Sequence, residues 1–335
     1  MRVLIYSKKL KTVEKSGVGR AMSMQIEAMR NSHIDITTDE RDPYDVVHIN
    51  TVFPSDFMMS IKAKMSGKKV VYHAHSTKED FCQSFVGSNL MAPFFQWWIM
   101  RCYSTGDLIL TPTDYSKHLL QSYGINKPIM AISNGVDTSL FKKNEEAGRQ
   151  FREMYGYEED EKIVMSVGLY FKRKGIIDFV KLAKSMPEYQ FIWFGSTPTW
   201  MITKDVKNAL EYQLPNLRFA GYVSKEELKM AYSGSDLFLF PSYEETEGIV
   251  VLEALASEIP IVLRDIPVYA SWLDDGREVY KAKDARDFKE KIRGVLEKKL
   301  PNLTKAGLKT AKSRDLRRQT ELLKTEYERL CLSGA

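Results

Sequence analysis

The sequence predicts an α/β protein built as two doubly wound, parallel-sheet domains facing a cleft. Three observations lead there. The 335 residues exceed what one hydrophobic core usually holds. Short runs that are apolar throughout alternate with helical stretches, the pattern of parallel strands covered on both faces. The alternation stops in a polar stretch, Lys142–Lys162, and then begins again.

In the front half the strands are Val3–Tyr6, Val46–Ile49, Val70–Tyr72, Leu108–Leu110 and Ile129–Ile132, with helices at Arg20–Arg30, Phe57–Met65, Leu90–Tyr103 and Tyr115–Tyr123. The opening Met1–Ser7 reads as a strand because its apolar run is too brief for a signal peptide. The second series has strands at Ile163–Val167, Phe191–Phe194, Leu217–Ala220, Leu237–Phe240 and Ile261–Leu263. Ser224 and Glu227 form a capping box ahead of a helix running to Tyr232. The domains are expected at 1–145 and 146–312. The tail, 313–335, lies in an amphipathic helix spanning Leu308–Leu330 that is free to pack on either domain, including back on the first.

Composition sets limits on function. Hydrophobic residues at 44% and charged residues at 28% suit a folded enzyme. Three scattered cysteines, Cys82, Cys102 and Cys331, argue against zinc ribbons and disulfide frameworks and fit a reducing, cytoplasmic compartment. No run of about 18 apolar residues exists to span a membrane. The net charge of +5 sits mostly in residues 1–150, which carry 19 Lys and Arg against 15 Asp and Glu. That excess is too small for a nucleic-acid binder but suits an anionic membrane surface.

The most informative segment is Glu245–Glu253. Glu245 follows an apolar strand, Gly248 opens the helical run Ile249–Ala256, and Glu253 projects from its second turn. Amide groups at a helix start attract phosphate, and a carboxylate accepts from two hydroxyls at once. An anion site beside hydroxyl clamps describes a nucleotide-sugar. The bland alternative is an exposed helix face with ordinary surface carboxylates.

Other strand ends carry weaker signals. Ser16-Gly17-Val18-Gly19 lets backbone approach a ligand, but it lacks the third glycine of a dinucleotide fingerprint. His73 and His75 fall on one side of a strand end; His75, the later one, is the better ligand contact, and no partner residues make a zinc site. Gly168 precedes the cation run Lys172-Arg173-Lys174, which suits a diphosphate; a solvated charge run is the plain reading. Asn134-Gly135 is a structural turn.

Aromatics crowd Phe81–Tyr103, and residues 81–100 carry no charge. Phe85, Phe94, Phe95, Trp97 and Trp98 suit a membrane interface, with Lys62, Lys64, Lys68 and Lys69 adding attraction for lipid headgroups; core packing is the alternative for each aromatic.

Together these residues resemble the GT-B glycosyltransferases of family 4. The likeness rests on Glu245 to Glu253, Lys174-Gly175, Gly17 to Gly19, Asp45–His48, Thr111–Ser116 and Asn134–Asp137, and it spans nearly the whole chain. The segments His75–Phe81, Gly168–Gly175, Trp193–Gly195 and Glu244–Ala256 are similar to the Gram-positive synthases that add a second hexose to monoglucosyl-diacylglycerol. The resemblance implies two Rossmann-like domains, the first facing acceptor and membrane and the second binding a UDP-hexose, and a retaining transfer of glucose or galactose to a glycolipid. It gives Glu245, Lys174, Arg173 and His75 catalytic roles. Glu253, Gly248, Ile249, Val250, Gly168 and Tyr222 bind the donor, and the Gly17-Val18-Gly19 loop serves the acceptor. No metal or other cofactor is expected, since no D-x-D element stands where this fold would need one. One departure is Leu169, where the broader family carries arginine; Arg173 is the candidate replacement. The rival readings are a transferase for a soluble or polysaccharide acceptor, a non-catalytic sugar-nucleotide-binding subunit, and a dinucleotide oxidoreductase.

Overall fold

A computed structural model describes residues 1–6, 8, 13 and 16–332, and in it the chain divides into two compact units. Residues 1–81, 90–135 and 314 onward form the first, and residues 82–89 and 136–313 the second. Ser7, read with the opening strand, and the last three residues of the tail, 333–335, lie outside the described residues.

The first unit is a six-stranded sheet of β1 (Val3–Tyr6), β2 (Ile36–Thr37), β3 (Val46–Ile49), β4 (Lys69–His73), β5 (Leu108–Thr111) and β6 (Ile129–Ala131), in the order β2-β1-β3-β4-β5-β6. Every pairing is parallel. Helices α1 (Gly17–Asn31), α2 (Pro54–Met65), the short α3 (Lys78–Phe81), α4 (Ser88–Tyr103) and α5 (Asp114–Ser122) connect the strands. One sheet face packs Leu4, Val47 and Tyr72 with Met59 of α2 and Ile99 and Tyr103 of α4. The other packs Val3, Ile5 and Val46 with Ile26 and Met29 of α1. The chain winds one way from β1 to β2 and the other way from β3 outward, so β1 and β3 flank a topological switch point, where this architecture leaves a crevice at the strands' C-terminal ends.

The second unit repeats the plan with β7 (Ile163–Val167), β8 (Gln190–Phe194), β9 (Leu217–Gly221), β10 (Leu237–Phe240), β11 (Ile261–Arg264) and β12 (Tyr280–Ala282), in the order β12-β11-β10-β7-β8-β9. Its helices are α6 (Glu145–Tyr155), α7 (Ile176–Ser185), α8 (Lys204–Leu210), α9 (Lys225–Gly234), α10 (Ile249–Ala256), α11 (Ala285–Leu296) and α12 (Thr304–Ser313). The switch point here lies between β7 and β10. Ser224 caps α9 by accepting from the Glu227 amide at 3.1 Å. The Glu227 carboxylate accepts from the Tyr155 hydroxyl at 2.6 Å.

The ten strands read from sequence all form, with ends shifted by at most a residue or so. Two edge strands, β2 and β12, escape that reading: β2 has only two residues, and the three of β12 are interrupted by Lys281, so neither shows an apolar run. The tail is not one helix. It breaks after Ser313, and Asp315 starts α13 (Leu316–Leu332) by accepting from the Arg317 amide at 3.0 Å.

Helix α13 belongs to the first unit, where Leu323 and Tyr327 are buried against the α1 face of the sheet. The Tyr327 hydroxyl pairs with His48 Nδ1 at 2.5 Å. His48 lies 5.4 Å from His73, which stacks on His75 at 4.1 Å, and His75 Nε2 meets Asn50 Oδ1 at 2.9 Å. Burial lowers all three histidines: His48 to about 3, His75 to about 4, and His73 well below its ordinary value. They are neutral at pH 7. The unfolded chain takes up these protons near pH 6.5 and the folded chain does not, so stability is complete above that pH and falls as pH drops toward 4. Between pH 7 and pH 5 the amides of β3 and β4 should lose about 2 kcal/mol or more of protection against hydrogen exchange. Equal protection at the two pH values would show that the histidines are not held neutral.

Candidate active site

The second unit gathers its chemistry beside the β7/β10 switch point. After β7 the chain makes a tight turn, Lys172–Lys174, and Gly175 follows with φ of 77°. A Cβ at Gly175 would sit 2.2 Å from the Pro241 carbonyl oxygen, so only glycine lets this turn lie against the chain leaving β10. That approach brings Lys174 to Glu245: Nζ stands 2.5 Å from Oε1. The Ser242 hydroxyl donates to the same oxygen at 2.6 Å, and Arg173 Nη1 lies 4.0 Å from it. Three groups thus converge on Oε1, and among the described residues no hydrogen bond falls on Oε2.

Glu245 is 5% exposed, Glu247 1% and Glu253 0%. The bland expectation of surface carboxylates therefore fails. Burying ionised carboxylates is costly unless each is paired or hydrogen-bonded. Burial alone would raise the Glu245 carboxyl, but Lys174 and Arg173, with the hydrogen bonds from Lys174 and Ser242, more than offset it and hold it below its ordinary value. Glu253 does not point to solvent from α10; it accepts from the Tyr232 hydroxyl at 3.1 Å.

Gly248, in the left-handed region at φ 85°, starts α10, and no side chain caps that start. The amides around Ile249 and Val250 therefore open toward whatever lies ahead of the helix, as an anion site requires. A Cβ at Gly248 would come 2.9 Å from the Tyr269 hydroxyl, which is buried without a hydrogen-bond partner among the described residues. Burial, then Glu245, Glu247 and Glu244, raise the Tyr269 hydroxyl far above its usual range, so it keeps its proton.

Gly168, at the end of β7, accepts at its carbonyl from Trp193 Nε1 at 2.8 Å. Leu169 is half-buried beside it, and Tyr222, just past β9, is 52% exposed. Arg173 is buried: its Nε donates to Ser84 Oγ at 2.8 Å and Nη1 to the Glu244 carbonyl at 3.1 Å.

Sequence reasoning missed the supports of this site. Arg264, at the end of β11, donates to the Pro241 carbonyl at 3.0 Å and to Asp178 at 2.5 Å, and lies 3.8 Å over the Tyr243 ring. Asp178 also accepts from the Tyr243 hydroxyl at 2.5 Å. A charged residue ending an apolar strand was the available signal for Arg264; for Ser242 and Tyr269 there was none.

The remaining candidates, Phe85 apart, belong to the first unit. Gly17, Val18 and Gly19 open α1, where Ser16 Oγ accepts from the Gly19 amide at 3.3 Å and a Cβ on Gly17 would meet nothing within 4 Å among the described residues. His75 is buried against Asn50, beside the end of β3. Among the described residues, no group of three or more His, Cys, Asp or Glu is arranged to hold a metal ion.

The aromatics of α4 divide between inside and outside. Phe95 stacks on Phe81 at 4.0 Å, and Trp98 donates to the Val52 carbonyl at 2.6 Å and packs on Phe57, so both face the core. Phe94 and Trp97 are 63% and 49% exposed, beside Leu90 and Met91 at 88% and 50%. Phe85 is half-buried in the second unit. On α2, Lys62 and Lys64 are exposed, with Lys64 paired to Asp107 at 3.2 Å; Lys68 and Lys69 are half-buried.

Two doubly wound parallel-sheet units of this size constitute the GT-B glycosyltransferase fold, and solved structures agree. The chain matches Anabaena HepE in complex with UDP-glucose at a TM-score of 0.79 with 16% identity, covering 98% of this chain and 99% of that one. It matches sucrose-phosphate synthase from Thermosynechococcus elongatus at a TM-score of 0.81 with 16% identity, over 99% and 100%. The family model "Glycosyl transferases group 1" matches residues 149–314, and "Glycosyltransferase Family 4" matches residues 34–140. The "Processive diacylglycerol alpha-glucosyltransferase" of Acholeplasma laidlawii is 41% identical over 98% of both chains. The "Alpha-galactosylglucosyldiacylglycerol synthase" of Streptococcus pneumoniae is 29% identical, over 84% of this chain and 80% of its own. The chain belongs to the family 4 glycosyltransferases.

Gly175→Ala should separate the turn from Pro241 and break the Lys174–Glu245 contact, destabilising the second unit by about 3 kcal/mol or more. Denaturant unfolding followed through Trp193 measures it; a loss below about 1 kcal/mol would mean that the turn tolerates a Cβ.

Proposed function

We propose that the protein transfers a hexose from a UDP-sugar, with retention at the anomeric carbon, to a glycolipid built on diacylglycerol, with glucose as the hexose and monoglucosyl-diacylglycerol as the acceptor. One observation carries the reading above others. The relative that is 41% identical over 98% of both chains is named for α-glucosyl transfer to diacylglycerol. The streptococcal relative is likewise named as a glycosyl-diacylglycerol synthase.

The second unit supplies chemistry that fits. Glu245 has its charge compensated on Oε1, which leaves Oε2 to accept from a hexose hydroxyl. Glu253 takes the ribose hydroxyls. The diphosphate lies at the uncapped start of α10, near Gly248, Ile249 and Val250, with Gly168 and Tyr222 as further donor contacts. Lys174 and Arg173 stabilise the negative charge that grows on UDP as the bond from its phosphate oxygen to the anomeric carbon breaks. The acceptor hydroxyl forms the new bond to that carbon on the same face, and its proton passes to the departing phosphate oxygen. No separate general base is needed. In the first unit, the Gly17–Gly19 loop and His75 serve the acceptor side and the donor sugar.

A lipid acceptor calls for a membrane-facing surface. No helix among the described residues is long and apolar enough to cross a membrane. The exposed stripe Leu90, Met91, Phe94 and Trp97 on α4 suits insertion at an interface. Trp98 packs against Phe57 of α2, so α2, with Lys62 and Lys64, lies beside α4. A lysine near an anionic surface adds about 1 kcal/mol of attraction. Phe95 and Trp98 hold the stripe from beneath.

Two tests follow. UDP release from UDP-glucose should require monoglucosyl-diacylglycerol in anionic vesicles and exceed release from UDP-galactose. Release indifferent to the lipid would refute the acceptor, and preference for UDP-galactose would refute the donor. The triple change Leu90→Ser, Phe94→Ser, Trp97→Ser should reduce vesicle co-sedimentation at least about tenfold, in proportion to the apolar area lost; undiminished co-sedimentation would refute the membrane face.

A further inference from the structure

Residues 82–89 leave the first unit between α3 and α4 and belong to the second. They are bound there by three hydrogen bonds. The Arg173 amide donates to the Gln83 carbonyl at 3.3 Å, Arg173 Nε donates to Ser84 Oγ at 2.8 Å, and the Val86 amide donates to the Met201 carbonyl at 3.3 Å. Gln83 adopts φ of 55°, a backbone state that non-glycine residues hold at a cost and that concentrates at functional sites. Ser84 is 5% exposed and Arg173 is 8% exposed, so the bond between them is shielded from water.

We infer that Ser84 is a positioning residue for glycosyl transfer: its hydroxyl oxygen holds the Arg173 guanidinium in the orientation that faces Glu245 and the departing diphosphate. This rests on the donor-site reading above. A guanidinium is a rigid planar fork, so fixing Nε fixes the direction of Nη1. Nη1 is the atom that bonds the Glu244 carbonyl and lies 4.0 Å from Glu245. Without the serine oxygen, Nε–H would lose this shielded bond, and the fork would no longer be held from that side. Ser84 acts through Arg173 and touches no reacting atom.

The test uses the full-length protein with UDP-glucose and glycolipid vesicles, comparing Ser84→Ala, Ser84→Thr, Arg173→Ala and the double change Ser84→Ala/Arg173→Ala. Ser84→Ala should lower kcat about tenfold with little change in KM for UDP-glucose, because the charge it orients matters most as UDP departs. Ser84→Thr, which keeps the oxygen, should restore kcat to within about twofold. The double variant should be no slower than Arg173→Ala alone. Melting curves separate this from a structural role, which would lower the melting temperature and leave kcat per folded molecule intact. Wild-type kcat in Ser84→Ala while Arg173→Ala is inactive, or additive losses in the double variant, would overturn the inference and leave the donor site standing. Wild-type turnover in both Arg173→Ala and Lys174→Ala would overturn the donor-site reading, and this inference with it.

Discussion

The buried ion pair between Lys174 and Glu245 is the constraint around which the second unit is arranged. Two charges removed from water are tolerated only when geometry and added hydrogen bonds compensate. Each part of that compensation comes from a different strand end. Lys174 and Arg173 follow β7, Ser242 and Glu245 follow β10, and Arg264 ends β11. Because β7 and β10 are neighbours although 69 residues separate Val167 from Leu237 along the chain, their following loops meet at the switch point. The winding of the sheet is thus what makes the pair possible. Arg264 then holds the backbone at Pro241 while Asp178 anchors Arg264 and Tyr243, so the loop that presents Glu245 is braced from its far side. All three cationic and hydroxyl contacts on Glu245 fall on one oxygen. A carboxylate neutralised on one side only keeps acceptor capacity for a ligand without carrying an unpaired buried charge.

The first unit answers a different constraint. Its chemistry is neutral: three histidines, Asn50, Gln25 and a tyrosine hydroxyl share buried space, with no opposing charge to compensate. Burial is therefore the largest influence on their protonation, and His48 and His73 are lowered further by the neighbouring histidines. The unit is also incomplete until the chain's end returns, since Leu323 and Tyr327 fill the α1 face of the sheet. A small cavity lined by Gln25, His73, His75, Asn134, Gln319 and Leu323 lies where that returning helix meets the strand ends. The two units thus share a topology and each has an apolar core, while the buried polar groups at their strand ends differ, ionic in the second and histidine-rich in the first.

Helix α4 shows why residue type alone does not settle a surface. Successive residues on a helix point about 100° apart. In Phe94-Phe95 and Trp97-Trp98, one member of each pair must therefore turn inward if the other turns out. The structure packs Phe95 and Trp98, half-buried, against the core and exposes Phe94 and Trp97, on the same side as Leu90. An aromatic crowd without charges is accordingly not a core helix throughout, but one that packs on the sheet along one side and leaves apolar side chains exposed along the other. The lysines divide similarly: Lys62 and Lys64 are exposed on α2, while Lys68 and Lys69 lead into β4.

How much of this was legible in the sequence depends on the distance over which each interaction acts. The ten strands read from sequence announce themselves because their apolar runs are local, and α10 does so through Gly248. The E-x7-E spacing drew attention to Glu245 and Glu253, yet their burial was invisible, since it is decided by Tyr232, Ser242 and the turn at Gly175 packing around them. The tail was read as one helix because amphipathic periodicity continues across Arg314 and Asp315; only the Asp315 cap, a one-residue signal, marks the break. Ser84 lies 89 residues from Arg173 and gives no motif at all. Its segment was read as part of an aromatic surface, which it is in composition. Contacts made across such separations leave no period and no spacing in a single chain. A cation run like Lys172-Arg173-Lys174 could therefore be recognised as chemically suggestive, while the division of labour within it, one side chain on a carboxylate, one held by a serine, and Lys172 on Asp205, had to await the fold.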